Sequence, residues 1–250
     1  MSKIIKSAEI GLAKATDDDM AKINRYTLEE LKAEDVFTFK MLAGDDGLDD
    51  RNFEPFSVKS LTDMAALYPG KPMIWEHGYG VKGTEQVARI YDAEARQTDK
   101  ADGSGGKETQ LILHAYMLNS EANQDLIREI KAGIKKEVST SCTPEKLICS
   151  VCGQDQMKSY CRHWAGRTYD GKTCLMTIDG VKDVHEVSFV GVGAQPRAGA
   201  IKSYNPALKD AREEDFPDEP AAPEEKKAPD TGIRERELFL MAEMAKGEEE

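Results

Sequence analysis

The stretch TQLILHAYML, residues 109–118, decides what kind of fold this 250-residue chain can form. Its aliphatic and aromatic residues are of the kinds that β-strands favour. Apolar side chains fall on both faces of an extended backbone here, which is typical of a strand that is covered on both sides. We therefore expect residues 109–118 to form a central strand of a sheet.

Strand-like and helical segments alternate on both sides of this stretch. EDVFTFKML (34–42) and VHEVSFVGV (184–192) have strand composition, and KEVSTSC (136–142) alternates apolar and polar residues. Residues 57–70 and 120–133 predict two helices, each with a serine as its N-cap and a glycine past its end. Residues 98–109, TDKADGSGGKET, predict a flexible loop between strands. The expected fold is mixed and mainly β.

The negative charge of the chain is concentrated at its carboxyl end. The net charge is −12, and residues 205–250 hold fifteen Asp and Glu against seven Lys and Arg. Residues 205–232 combine nine of these acids with half of the ten prolines, which predicts a disordered acidic linker. Residues 233–250 contain an apolar cluster at 238–241 and Met244, which predicts a short amphipathic helix.

Composition excludes several classes of function. An acidic chain with no stripe of Lys and Arg repels phosphate backbones, so we expect no nucleic-acid binding and favour peptide partners. No apolar run reaches eighteen residues, and the N-terminal residues lack the apolar core of a signal peptide. We expect no membrane association and an intracellular location. The 40% of apolar residues are sufficient for a real core.

Five metal-ligand side chains lie within residues 149–174: Cys149, Cys152, Cys161, His163 and Cys174. Zinc in structural sites takes four thiolate or imidazole ligands arranged as a tetrahedron. The spacing therefore predicts a structural Zn²⁺ site in a small insert that gains its stability from the metal. We expect the four cysteines to be the ligands, with His163 either replacing Cys174 or lying just outside the ligand set.

The sequence also contains candidates for a serine nucleophile and a histidine base. If residues 136–142 form a strand, Ser139 and Ser141 share the face opposite that of Cys142. On the residues alone, serines on the polar face of a strand are the commoner outcome, because a nucleophile needs a base within hydrogen-bonding reach. Among the four histidines, His77 is the best base candidate, since it ends an apolar run and precedes a glycine-rich loop.

Three segments, in their order along the chain, resemble the tailed-phage prohead (procapsid maturation) serine proteases. They are residues 50–94, 134–146 and 183–202. In that family a histidine follows a Gly-Lys turn, an EVS segment carries the nucleophile, and an E-x-S-x-V strand leads to a small Pro-containing turn. His77, Ser139 and Glu186 occupy the matching positions. A subgroup with an insert of the pattern CSxCG…C.H…Y.GK.C is also similar, and the resemblance covers roughly residues 22–204.

The resemblance implies a closed β-barrel with flanking helices, similar to herpesvirus assemblin, over residues 21–204, after an N-terminal arm of residues 1–20. It implies a serine endopeptidase in which Ser139 attacks the scissile carbonyl, His77 transfers the proton and Glu186 orients the imidazole. The implied substrates are capsid and scaffold proteins and the enzyme's own tail, inside the procapsid in the host cytoplasm. Homodimerisation, as in assemblin, is left open.

Several alternatives stay open. Ser141 replaces a glycine that is frequent in relatives, so it competes as the nucleophile. His185 competes as the third member of the triad, although strand alternation places Glu186, together with Val184, on the other face. A thiol protease using Cys142 is disfavoured, because this side chain lies on the opposite face of the strand from the serines. The alternative function is a zinc-stapled scaffolding or capsid-assembly module with a protease-like barrel and no catalysis.

Overall fold

The computed structural model describes residues 15–48, 50–80, 83–101 and 106–201. These ranges hold three α-helices: α1 (Asp17–Ile23), α2 (Val58–Leu67) and α3 (Gln124–Lys131). The strands are β1 (Val36–Asp45), β2 (Pro72–Trp75), β3 (Ala88–Ala101), β4 (Lys107–Leu118), β5 (Val138–Pro144), β6 (Leu147–Cys149), β7 (Thr168–Tyr169), β8 (Lys172–Thr173), β9 (Met176–Ile178), β10 (Val181–Phe189) and β11 (Gly199–Ile201). The predicted linker, the predicted C-terminal helix and residues 1–14 of the predicted arm lie outside the described residues.

Seven strands form one curled sheet in the order β11-β1-β4-β3-β2-β10-β5. All neighbouring strands run antiparallel except β2 and β10, which are parallel. The stretch 109–118 lies within β4, between β1 and β3, as its apolar faces predicted. The prediction of a mainly β fold is confirmed.

The sheet curls into half a barrel, and the predicted closure of the barrel is not shown. Its edge strands, β5 and β11, approach each other at an isolated bridge between Glu137 and Gly199. Nearby, the Ala200 N–H donates to the Lys136 carbonyl at 2.7 Å. Within the described part of the chain no ladder of paired residues joins the two edge strands.

The main hydrophobic core includes α2, which packs against β3, β4 and β10. Leu61, Met64 and Tyr68 of this helix region are fully buried. Ser57 caps α2 as predicted, because its side chain accepts a hydrogen bond from the Ser60 N–H. No helix in the described ranges is both long and apolar enough to cross a bilayer.

Two local predictions need correction. Ser120 makes no capping hydrogen bond, because a 3₁₀ turn (Glu121–Asn123) precedes α3. The loop predicted for residues 98–109 is largely strand, since β3 extends to Ala101 and β4 begins at Lys107. Cross-strand pairing, such as Gln97 opposite Thr109, continues the ladder toward the turn and outweighs the turn-forming composition.

Candidate active site and metal centre

His77 lies in a strained turn directly after β2. The backbone φ angles of Glu76 and His77 are 45° and 53°, in the left-handed region that residues other than glycine seldom adopt. Three contacts hold the turn: the Gly191 N–H donates to the Glu76 carboxylate at 3.1 Å, the Tyr79 N–H donates to the Glu76 carbonyl at 2.9 Å, and the His77 N–H donates to the Ser188 hydroxyl at 2.9 Å. Strained backbone of this kind is concentrated at functional sites.

The His77 ring contacts a buried carboxylate. Its Nδ1 lies 2.8 Å from Oε1 of Glu186, a residue that is only 8% exposed. A carboxylate only accepts hydrogen bonds, so in the neutral ring Nδ1 carries the proton and Nε2 is the basic nitrogen. The hydrogen bond to Glu186 raises the pKa of His77 above its ordinary value, against the opposing effect of burial. The pair has the geometry of a general base and its orienting acid.

The strand register brings both candidate serines to the face that carries Glu186. In the pairing of β5 with β10, Ser139 lies opposite Ser188 and Ser141 lies opposite Glu186. Residues directly opposite each other in a sheet point to the same face. Ser139, Ser141 and His77 all line one cavity of about 290 Å³. The structure therefore brings His77 into contact with Glu186 and places both serines beside the same cavity.

A bulge in β10 changes the predicted strand alternation. The register shifts between Val184 and Glu186, so Val184 pairs with Cys142 and belongs to the hydrophobic core rather than to the face of Glu186. The extra residue is His185, whose Nε2 lies 3.0 Å from the Thr143 hydroxyl. His185 is thus exposed and contacts Thr143, while Glu186 contacts His77.

The remaining cavity wall includes acidic side chains. Asp50 and Glu54 line it, and burial together with the nearby Asp50 charge raises the pKa of Glu54. Cys142 also lines the cavity, and burial raises its pKa to about 11, so the thiol stays protonated at neutral pH. The lining residue Gln195 accepts a hydrogen bond from the Asp45 N–H at 2.9 Å.

Two residues that support the site, Ser188 and Arg197, were not predicted from the sequence. Ser188 is fully buried and donates to Oε2 of Glu186 at 2.6 Å. Arg197 forms ion pairs with the buried acids Asp45 and Glu108, and so fixes the turn that lines the cavity. Ser188 could have been identified from its spacing, since it follows Glu186 by two residues on one strand. Asp45 and Glu108, the partners of Arg197, are too distant from it in sequence for a local pattern to reveal the ion pairs.

The cysteine and histidine side chains of the insert converge on one point. The ligand atoms of Cys149, Cys152, Cys161 and His163 all lie within 4.8 Å of one another. The His163 Nδ1 is 3.7 Å from the Cys149 sulfur. Cys174 is buried, with its sulfur 3.8 Å from that of Cys149, but it is outside this group of four. The structure thus assembles the predicted alternative in which His163 takes the place of Cys174.

The surroundings of these donors fit a thiolate-bound metal. Burial acts to raise the pKa of Cys149, but the backbone N–H groups of Cys152 and Val151 outweigh it, and the pKa is lowered. The His163 N–H donates to the Cys161 sulfur at 3.4 Å. Three thiolates and one imidazole form a donor set that suits Zn²⁺. The cluster could therefore bind a metal ion.

The insert contacts the segment before α2 as well as the strands that lead into it, since Gly166 packs closely against the Phe53 ring and the Met176 N–H donates to the Phe53 carbonyl at 2.8 Å. Its chain leaves through β6 and returns through β9, and these two strands pair with each other. Inside it, the two-residue strands β7 and β8 pair, and Ile148 forms an isolated bridge with Asp155. The buried group at its centre consists of Cys149, Cys174 and Met176. So small a core is consistent with stabilisation by a bound metal.

Comparison of this chain with protein-family models, with curated proteins and with solved structures finds no match in any of the three.

Proposed function

We propose that this protein is a serine endopeptidase of procapsid maturation, similar to the tailed-phage prohead proteases. Ser139 is the nucleophile, His77 the general base and Glu186 the acid that orients the base. The observation that supports this most directly is the 2.8 Å contact between His77 Nδ1 and Glu186 Oε1, beside a cavity that Ser139 also lines.

Ser139, rather than Ser141, is the nucleophile in this proposal because it stands in the EVS segment that resembles the family. Ser139 lies opposite Ser188, whose hydroxyl accepts the His77 N–H, and Ser141 lies opposite Glu186, which the His77 ring contacts. Each serine is therefore paired with a residue that contacts His77, so the choice between them rests on the resemblance.

In the proposed reaction His77 Nε2 takes the proton of the Ser139 hydroxyl while Oγ forms a bond to the scissile carbonyl carbon. The carbonyl oxygen becomes an oxyanion, and the imidazolium is stabilised by Glu186. When the tetrahedral intermediate collapses, the C–N bond breaks and the imidazolium gives its proton to the leaving amine. Water, activated by the same nitrogen, then cleaves the acyl-enzyme ester and regenerates the serine.

The metal has a structural role in this proposal. Cys149, Cys152, Cys161 and His163 would hold a Zn²⁺ ion that cross-links the insert. In this proposal the curled sheet forms the β-barrel, with flanking helices, of the prohead-protease family. The substrates are capsid and scaffold proteins and the acidic tail of the enzyme, inside the procapsid. Confinement there raises the local concentration of substrate, so modest affinity suffices.

Mass spectrometry of the purified full chain tests the proposal. The wild-type protein is expected to lose its tail by cleavage near residues 205–235, and Ser139→Ala is expected to keep it. Ser150→Ala, which removes a serine of the metal insert, is the matched control and is expected to be trimmed normally. If Ser139→Ala is trimmed as the wild type is, another protease is responsible. If capsid precursor and tail both stay intact with wild-type protein, the non-catalytic assembly module is the better account.

A further inference from the structure

Ser188 joins the base and the acid of the proposed triad. The residue is 0% exposed. Its hydroxyl donates to Oε2 of Glu186 at 2.6 Å and accepts the His77 N–H at 2.9 Å. A hydroxyl has one proton to donate and lone pairs to accept with, so this side chain serves two triad residues at once.

The contacts form a closed ring of hydrogen bonds. The ring runs from His77 Nδ1 to Oε1 of Glu186, through the carboxylate to Oε2, then to the Ser188 hydroxyl and back to the His77 backbone N–H. Each carboxylate oxygen therefore has its own partner, and the carboxylate cannot rotate without breaking one of the bonds. The His77 N–H that closes the ring belongs to a residue in the left-handed conformation. The same hydroxyl thus restrains a strained backbone and a buried anion.

We propose that Ser188 is a positioning residue that fixes the Glu186 carboxylate and the His77 turn in the reactive arrangement. This inference rests on the proposed function, because it assigns a role within the same triad. Ser188 does not touch the substrate, and it acts only through its two neighbours.

Removal of the hydroxyl has two expected consequences. The carboxylate loses the donor at Oε2 and turns away from the ring, which weakens the hydrogen bond that raises the pKa of His77. The His77 turn also loses one of the contacts that hold its left-handed backbone. Displacement of a catalytic group by about 1 Å can cost about 10²-fold in rate. We therefore expect a large loss of reactivity with little loss of substrate affinity.

Two measurements on Ser188→Ala test this role. The first is the rate at which a fluorophosphonate probe labels Ser139, measured across pH, which is expected to fall about 10- to 100-fold. The second is an NMR titration of His77 in a Ser139→Ala background. The pKa of His77 is expected to fall toward the ordinary value near 6.5. Should Ser188→Ala fail to fold, Ser188→Cys, which has a weaker donor of similar shape, carries the same expectations at smaller magnitude.

Ser60→Ala is the matched control. Ser60 is also 0% exposed, and its hydroxyl donates to the Ile178 carbonyl at 2.6 Å and accepts the Gly180 N–H at 2.8 Å. Its removal deletes two buried hydrogen bonds without touching His77 or Glu186. Ser60→Ala is expected to lower thermal stability as Ser188→Ala does, while the labelling rate and the pKa of His77 stay at their wild-type values.

The inference is overturned if Ser188→Ala behaves like Ser60→Ala in both measurements. It is also overturned if the pKa of His77 rises, because the carboxylate would then have kept its place and merely become a better acceptor. Failure of the proposed function gives a different result. In that case the wild-type protein neither cleaves its tail nor reacts with the probe, and the NMR titration still decides whether Ser188 positions the pair.

Discussion

His77 and Glu186 are 109 positions apart in the chain, and their side chains meet at 2.8 Å. The meeting depends on the only parallel pairing in the seven-stranded sheet as described, that of β2 with β10. Parallel neighbours place the end of β2 beside the end of β10, so the turn after β2 reaches back over the Glu186 side chain. Topology, rather than any local motif, creates the pair.

The pH dependence of Ser139 labelling is expected to follow the ionisation of His77. Only the neutral imidazole accepts a proton, so the rate rises with pH through the pKa of His77, and Glu186 places that midpoint above the ordinary value near 6.5. Glu186→Gln removes the anion and is expected to move the midpoint to lower pH, with a rate lower by at least about tenfold. An unchanged midpoint would show that Glu186 does not set the ionisation of the base.

The two serines are expected to differ sharply in reactivity. Ser139→Ala should abolish fluorophosphonate labelling, whereas Ser141→Ala should keep it within about tenfold of the wild-type rate, because Ser141 takes no part in the proposed reaction. Peptide mapping of the labelled protein identifies the modified residue. Label on Ser141 would reverse the assignment, and label on Cys142 would revive a thiol mechanism.

Cys142 is expected to react slowly with iodoacetamide. With its pKa raised to about 11 by burial, little thiolate is present near pH 8, so alkylation should be at least about tenfold slower than that of a free cysteine. Mass spectrometry after timed quenching measures the rate, and the urea-unfolded chain is the control. Alkylation as fast in the folded as in the unfolded chain would contradict the burial of this thiol.

Zinc binding is expected at one ion per chain, with His163 as a ligand. His163→Ala should weaken zinc binding by at least about tenfold, and Cys174→Ser should weaken it less, because Cys174 is outside the converging group of four. Competition against a chromophoric chelator measures the affinity. If Cys174→Ser has the larger effect, the ligands are the four cysteines and His163 lies outside them.

Arg197→Met is expected to destabilise the fold by about 3 kcal/mol, because it leaves the buried carboxylates of Asp45 and Glu108 without their cation. Urea denaturation gives the free energy of unfolding. Arg128→Met is the control, since Arg128 pairs with Asp125 on the exposed surface and should change stability by less than about 1 kcal/mol. Equal effects of the two changes would contradict this account of Arg197.

Much of the fold was predictable from local pattern. The apolar run at 109–118 identified the central strand, and Ser57 identified the start of α2. These predictions succeeded because burial on both faces and helix capping depend on neighbouring residues. The predicted loop at 98–109 failed in part because pairing between β3 and β4 overrides glycine-rich composition.

The candidate site was predictable only as separate parts. The ligand types and spacing of the insert indicated a metal site. They did not indicate that His163, rather than Cys174, would belong to the converging group of four. The bulge at His185 cannot be read from alternation, because one extra residue moves Val184 to the other face. The role of Ser188 was predictable only in part, since its hydrogen bond with the His77 N–H depends on how β2 and β10 meet.

The position of β5 connects the two centres of the molecule. As an edge strand of the seven-stranded sheet, β5 has one ladder neighbour, β10, along the residues that include Ser139. Its carboxyl end continues within three residues into β6, which pairs with β9 and ends at the metal-ligand candidate Cys149. An ion bound in the insert would therefore restrain the backbone that leads directly from the strand of the serine into the metal site.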